Sequence, residues 1–383
     1  MTTSQSEQQA SSAISNHLSA NPSELAEKRE RLAAFLDHRQ LSALLVSRHE
    51  NIAWATGGQV DARVALGSET AVASLLITRE GRRYYVAPKN EGPRLAAEEF
   101  SGLGYEPILY PWYEKAEPYI QKLAGTGPVG SDTDLPGVAQ VDLSALRVPL
   151  HPAEIERFRA LGRDTADATV SVLESLEPGV TEYEMTASTS AALLSRGISP
   201  TVLLMGTDDR IRKYKHAVPR RGVLERYGMI NLCARKWGLV VSITRFVHFG
   251  EMPQDLSAAF VHAARIHSEL LHATRPGSTA AAIYAVAQRA YSAAGATEEI
   301  EKHHQGGPCG YVERDWLITP AGEQRVVAPQ AFAYNPSLRG AKVEDTVIVT
   351  NEGVEVLTGT PSLPALESNI GEVLYRSAGV LVK

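Results

Sequence analysis

The sequence predicts an α+β protein of two domains: a smaller α/β lobe, then a larger domain in which helices wrap an antiparallel sheet. Three observations carry this. The chain has 383 residues, enough to bury a substantial core and more than one such core usually fills. Up to Leu150, short strand patterns alternate with helical ones. From His151 onward, four long helical patterns are interleaved with at least five apolar strand patterns.

The elements follow in order. Residues 1–22 are rich in Ser, Gln, Ala and Asn and read as a disordered tail, or as a short arm packing on a partner subunit. The tail has neither the basic nor the apolar region of a secretory signal. The lobe over 23–150 opens with an amphipathic helix from Glu24, with Leu25, Leu32 and Phe35 on one face. Leu41–Val46 is a strand. Val72–Thr78 and Arg83–Ala87, joined at Glu80-Gly81, form a hairpin. A helix near 94–100 and a strand near 107–110 follow. The second domain, 151–383, begins with His151-Pro-Ala-Glu-Ile-Glu, where proline inside the start and early acids suit a helix N-terminus. Thr181 is placed to cap the next helix. Two further helices fill 256–275 and 279–294, with strands near 200–205, 228–233, 239–247, 331–335 and 346–350.

Composition narrows the function. A net charge of −6 with no basic run argues against nucleic acid. Two cysteines, Cys233 and Cys309, make a disulfide framework implausible and fit a reducing cytoplasm. No run of about 18 apolar residues exists to span a membrane. No Gly-rich phosphate loop, CxxC pair or Gly-x-Ser-x-Gly elbow occurs, so no cofactor is implied.

Several blocks stand out: Asn231-Leu-Cys-Ala-Arg-Lys-Trp-Gly-Leu-Val-Val-Ser242-Ile-Thr-Arg245; Glu177-Pro-Gly-Val-Thr-Glu182; His303-His-Gln-Gly-Gly-Pro-Cys-Gly310; Ala333-Tyr-Asn-Pro336; and Lys342-Val-Glu-Asp-Thr-Val-Ile-Val-Thr350. In this order they resemble the pita-bread fold superfamily of methionine aminopeptidase, prolidase, aminopeptidase P and creatinase. The first lobe adds Asn51-Ile-Ala-Trp-Ala-Thr-Gly57, similar to a turn of prolidase-like members. The resemblance implies a pita-bread catalytic-type domain preceded by a creatinase-type α/β domain.

The departures decide the chemistry. The superfamily's five metal ligands are two Asp, one His and two Glu. They fall here on Asn231, Ser242, Gly307, Asn335 and Glu344. Hard divalent ions need several anionic oxygens or imidazoles, and one carboxylate cannot balance two of them. No metal is therefore expected at these positions. Creatinase, a metal-free relative, implies a histidine proton shuttle, and His216 lies where a pocket histidine is kept. Its bland alternative is a surface histidine in a Lys/Arg-rich loop. Glu344 is the expected electrostatic anchor for a cationic substrate, or else a relic acid paired with Arg245 or Arg339. Creatinase's second clamp glutamate falls on Thr244, which argues against creatine itself.

Asn231 and Asn335 are candidate substrate contacts, or amides that satisfy each other. His303 is the better substrate contact of the two adjacent histidines, with His304 on the opposite face if the segment is a strand. Arg314 can clamp a carboxylate, or pair with Asp315 or Glu313. A single-metal site from His303, His216 and Glu344 is a minor alternative. Cys309 follows the two histidines, but buried packing suits it better than a nucleophile's role. The resemblance also implies a homodimer, with Asp61 and Arg63 as cross-subunit contacts and Arg63 reaching substrate. The expected function is metal-independent hydrolysis of a C–N bond, amide or amidine, in a small polar substrate. The alternatives are a non-catalytic ligand-binding or dimerisation member and, less favoured, a metal-dependent Xaa-Pro peptidase.

Overall fold

The computed structural model describes residues 21–383. The expected tail over 1–22 lies, except for its last two residues, outside them. The chain forms two compact units, the first ending at Leu146 and the second spanning Arg147–Lys383.

In the first unit, helix α1 (Pro22–His38) starts at Asn21, whose Oδ1 accepts from the amides of Ser23 and Glu24. Its buried face is Leu25, Lys28, Leu32 and Leu36. Phe35, expected on that face, is only half-buried, because the i, i+4 step from Leu32 selects Leu36. Strand β1 (Ala43–Arg48) leads into α2 (His49–Ala55). The block Asn51–Gly57, expected as a turn, is thus mostly helix, ended by Gly57 and Gly58 at φ +64° and +77°. Strands β2 (Thr70–Thr78) and β3 (Arg83–Pro88) form the expected hairpin. Helix α3 (Gly92–Arg94) runs into a π-helical turn at Leu95–Glu99 before β4 (Glu106–Tyr110). Helix α4 (Glu117–Ala124) has a two-turn pattern too short to be read from sequence. Strands β5 (Val129–Ser131) and β6 (Ala139–Gln140) complete a six-stranded sheet of order β4-β3-β2-β1-β5-β6.

The second unit opens with α5 (Pro152–Ser175), where the His151 ring accepts from the Ala153 amide and Glu154 returns to the His151 amide. Helix α6 (Glu182–Leu194) carries the full capping box from Thr181. Then come β7 (Ser199–Thr207), the short α7 (Asp209–Lys213), β8 (Tyr227–Lys236) and β9 (Leu239–His248). Helices α8 (Gln254–Ala273) and α9 (Ala280–Ala293) begin a second series, followed by β10 (Gly306–Cys309), β11 (Gln330–Tyr334), the small pair β12 (Ser337–Leu338) and β13 (Ala341–Lys342), β14 (Asp345–Val349) and β15 (Val354–Val356). The hairpin β16 (Ala365–Ile370) and β17 (Val373–Ala378) and the strand β18 (Leu381–Val382) end the chain. Two four-stranded sheets result, β18-β9-β8-β7 and β10-β11-β14-β15.

The sheets meet along one seam. Thr244 of β9 bridges Glu344, and Thr346 exchanges two hydrogen bonds with the Ser242 backbone. Helices α8 and α9 cover the apolar side, where Phe246, Phe260, Tyr291, Phe332 and Tyr334 pack into one core. Among the described residues, no helix is long and apolar enough to cross a membrane.

Candidate active site at the sheet seam

Strands β8 and β9 are joined by Trp237 and Gly238, both at positive φ, the geometry of a tight two-residue hairpin. This turn fixes the register and sets Asn231 opposite Thr244 and Cys233 opposite Ser242. Side chains two apart share a face. Asn231 and Thr244 therefore point together, and Glu344 comes to meet them across the seam.

Glu344 is 2% exposed, and both of its carboxylate oxygens are engaged. Oε2 accepts from Asn231 Nδ2 (2.8 Å), Lys342 Nζ (2.9 Å) and Thr244 Oγ1. Oε1 lies 3.4 Å from Arg314 Nη2. Burial pushes this carboxyl up. The Lys342 ammonium, the Arg314 guanidinium and the Thr244 and Lys342 hydrogen bonds outweigh it and hold the pKa at about 2. The expected partners Arg245 and Arg339 are not used. Arg245 is engaged by Asp345 at 2.6 Å, and Arg339 donates to the Gly295 carbonyl. The Asp315 carboxylate is held by Arg147 and the Glu313 carboxylate lies by Arg235, while Arg314 Nη1 donates to the Glu313 backbone carbonyl at 2.5 Å and to Ser242 Oγ at 3.2 Å.

The two asparagines do not satisfy each other. Asn231 is spent on Glu344, the Ile243 carbonyl and Lys342, the last at 3.0 Å. Asn335 Oδ1 is buried and accepts nothing. That atom is an acceptor awaiting an N–H.

Three histidines stand beside this network. The Nε2 atoms of His216 and His303 are 2.9 Å apart, and the rings meet edge-on. His304 does not take the opposite face. The segment is still outside β10, and its ring stacks on that of His303 at 4.4 Å. Burial, then Lys342, lowers the pKa of His216 from its usual 6.5. Burial and the same lysine take His303 to about 3, and burial with Arg314 takes His304 to about 4. All three rings are neutral at pH 7.

His216 rides on the loop between β7 and β8, which two carboxylates tie down. Buried Glu182 accepts from Thr207, from Arg210 Nε at 2.8 Å and from the Arg220 amide at 2.8 Å. Asp208 accepts from the amides of Glu225, Arg226 and Tyr227. Both cysteines are buried, and burial pushes Cys233 to about 11 and Cys309 to about 12. Neither supplies a thiolate nucleophile. Arg63 belongs to the first unit, where its guanidinium grips Asp61 of its own loop at 2.6 Å.

The paired metal ions implied by the resemblance do not fit these residues. Lys342 Nζ lies among the ligand positions, on Asn231 and Glu344. A Cβ at Gly307 would stand 2.1 Å from the Trp316 carbonyl oxygen, so no side-chain ligand can be restored there without moving backbone. Lys342, which joins Asn231 to Glu344, is a residue of this network that the sequence did not single out. Its spacing two before Glu344 was the available signal.

Comparison with known proteins places this architecture. Residues 28–187 match the Creatinase/Prolidase N-terminal domain. A probable dipeptidase PepE of Mycobacterium tuberculosis is 25% identical over 316 residues, 75% of this chain and 84% of the relative. The prolidase of Pyrococcus horikoshii superposes with a TM-score of 0.74 at 19% identity, covering 87% of this chain and 98% of that one. The Xaa-Pro dipeptidase of Bacillus anthracis gives 0.74 at 17% identity, over 94% and 100%. Residues 156–351, half of the chain, match the metallopeptidase family M24, and the chain belongs to that family.

Proposed function

We propose that this chain hydrolyses a C–N bond, amide or amidine, in a small polar carboxylate-bearing compound, without the paired metal ions of its family. One observation carries the reading. The ligand positions are rebuilt as a Lys342–Glu344–Arg314 network beside a His216–His303 pair. The network has two cations and one anion, so it attracts an anionic group. Glu344, expected to hold a substrate cation, instead positions Lys342 and Arg314. Asn335 Oδ1 is suited to accept a substrate N–H.

His216 supplies the base. Donating from Nε2 to His303, it leaves Nδ1 to accept a proton from water. The water oxygen adds to the carbon of the C–N bond, and the proton on His216 passes to the leaving nitrogen. His303, with its pKa near 3, is too weak a base to take that proton away. The relatives' names point to dipeptides as one substrate class, and the ligand losses point away from their metal-dependent route.

The test is a screen of the chelator-stripped chain against amidines, ureas, N-acyl amino acids, cyclic amidines and Xaa-Pro dipeptides. Turnover should persist in chelator and be unaffected by Mn²⁺. Turnover that appears only with added Mn²⁺ or Co²⁺ would defeat the metal-free route. Failure of the whole panel would favour a ligand-binding member.

A further inference from the structure

The hydrolytic reading needs two histidines, and the site has three. A ring nitrogen from each of His216, His303 and His304 lies within 4.8 Å of the others. Two are adjacent in sequence; the third comes from a loop 87 residues away from His303. His303 Nδ1 is buried and bonded to nothing. His216 and His304 each keep solvent-exposed surface, which leaves their side chains room to turn. Zinc holds imidazole nitrogens at about 2.0–2.1 Å, which sets tetrahedral ligands roughly 3.4 Å apart. His216 and His303 would part by about half an ångström, and the widest pair would close by somewhat more than one. Exposed side chains make such movements by rotamer adjustment.

We propose that His216, His303 and His304 form a three-imidazole site for one divalent ion of the zinc class, distinct from the family's two-metal positions, and that its occupancy withdraws His216 from proton transfer. The second half rests on the proposed hydrolytic function; the first does not. An all-imidazole set selects zinc, copper, nickel and cobalt over the oxygen-seeking magnesium and manganese. The neighbouring charges of Lys342 and Arg314 exceed that of Glu344, so the affinity should be modest, with Kd on the order of micromolar. The expected metal response is therefore opposite to that of a metallopeptidase, since zinc would inhibit.

Chelator-stripped full-length chain is titrated with Co²⁺, followed by its visible absorption, and with Zn²⁺ by calorimetry at pH 7. One equivalent should bind, with the bands of a four- or five-coordinate ion, and Mn²⁺ should not compete. His303→Ala and the more exposed His304→Gln, each checked for folding by circular dichroism, should each weaken binding by at least about 10–100-fold, the loss that outer-shell partners alone cause. His38→Ala, at the end of α1, should leave it unchanged. Absence of saturable binding, or binding that survives both site variants, overturns the site. Zinc binding that leaves turnover intact overturns the regulatory half. The binding arm can be read even if no substrate is found.

Discussion

At Glu344, four hydrogen-bond donors, two of them cations, converge on one buried carboxylate. A buried pair broken on one side leaves an uncompensated charge, which costs about 3–5 kcal/mol. Lys342→Met should therefore lower the unfolding free energy by about that much in urea. Adding Glu344→Gln should restore part of it, and a double variant no more stable than the single would show that the pair is not the cause. The same carboxyl ties stability to pH. Its folded pKa of about 2 lies below its ordinary 4.5. Its contribution is full above 4.5 and is lost as pH falls through 2. Chemistry at His216 is also lost on the acid side, where its ring becomes protonated. His216→Ala should lower kcat by ~10²–10⁴ with little change in KM. The wild-type acid limb of kcat/KM should fall below the usual 6.5, because burial and Lys342 disfavour the protonated ring. A limb at or above 6.5, or a full rate after His216→Ala, would remove His216 from the mechanism. The sequence placed uncharged residues, Asn231, Ser242, Gly307 and Asn335, where the resemblance expects metal ligands. It did not show what replaced them, because Arg314 and Glu344 stand 30 residues apart and only the seam joins them.

At the scale of elements, the helix starts at His151 and Thr181 were legible because capping is local chemistry read within four residues. The two strands β8 and β9 were legible, but their register was not read, although it too rests on a local feature, the positive-φ pair Trp237-Gly238. The face of His304 was misread because alternation holds only inside a strand, and β10 starts at Gly306. The loop carrying His216 has no regular pattern; its shape comes from Glu182 and Asp208, whose acceptor roles no local rule exposes. Glu182→Gln keeps the volume but removes the charge that faces Arg210 and the amides of Thr207 and Arg220. It should cost about 1–3 kcal/mol in urea. Hydrogen exchange should quicken across 207–222 and kcat should fall, with α5 and α9 unaffected. Uniform exchange across the second unit would mean that Glu182 acts on global stability and not on the loop.

On the scale of the whole molecule, the second unit repeats one plan: two helices followed by antiparallel strands, first from α5 to β9 and then from α8 to β14. No residue pattern betrays this repeat, since packing constrains volume and polarity and leaves identity free. Assembly is the remaining expectation at this scale, and we propose that the chain is a homodimer through the loop after Gly57. Arg63 is folded back onto Asp61 in that loop, while Val64 and Leu66 are 63% and 70% exposed. These two neighbouring apolar side chains offer a partner an apolar contact. Light scattering at micromolar concentration should give twice the chain mass. Val64→Asp with Leu66→Asp should give the single-chain mass without changing the circular dichroism, because neither side chain contributes to the core. If Arg63 reaches substrate only across the dimer, the same double variant should also raise KM more than it lowers kcat. A wild-type chain that stays monomeric rejects the dimer, and a double variant that stays dimeric moves the interface elsewhere.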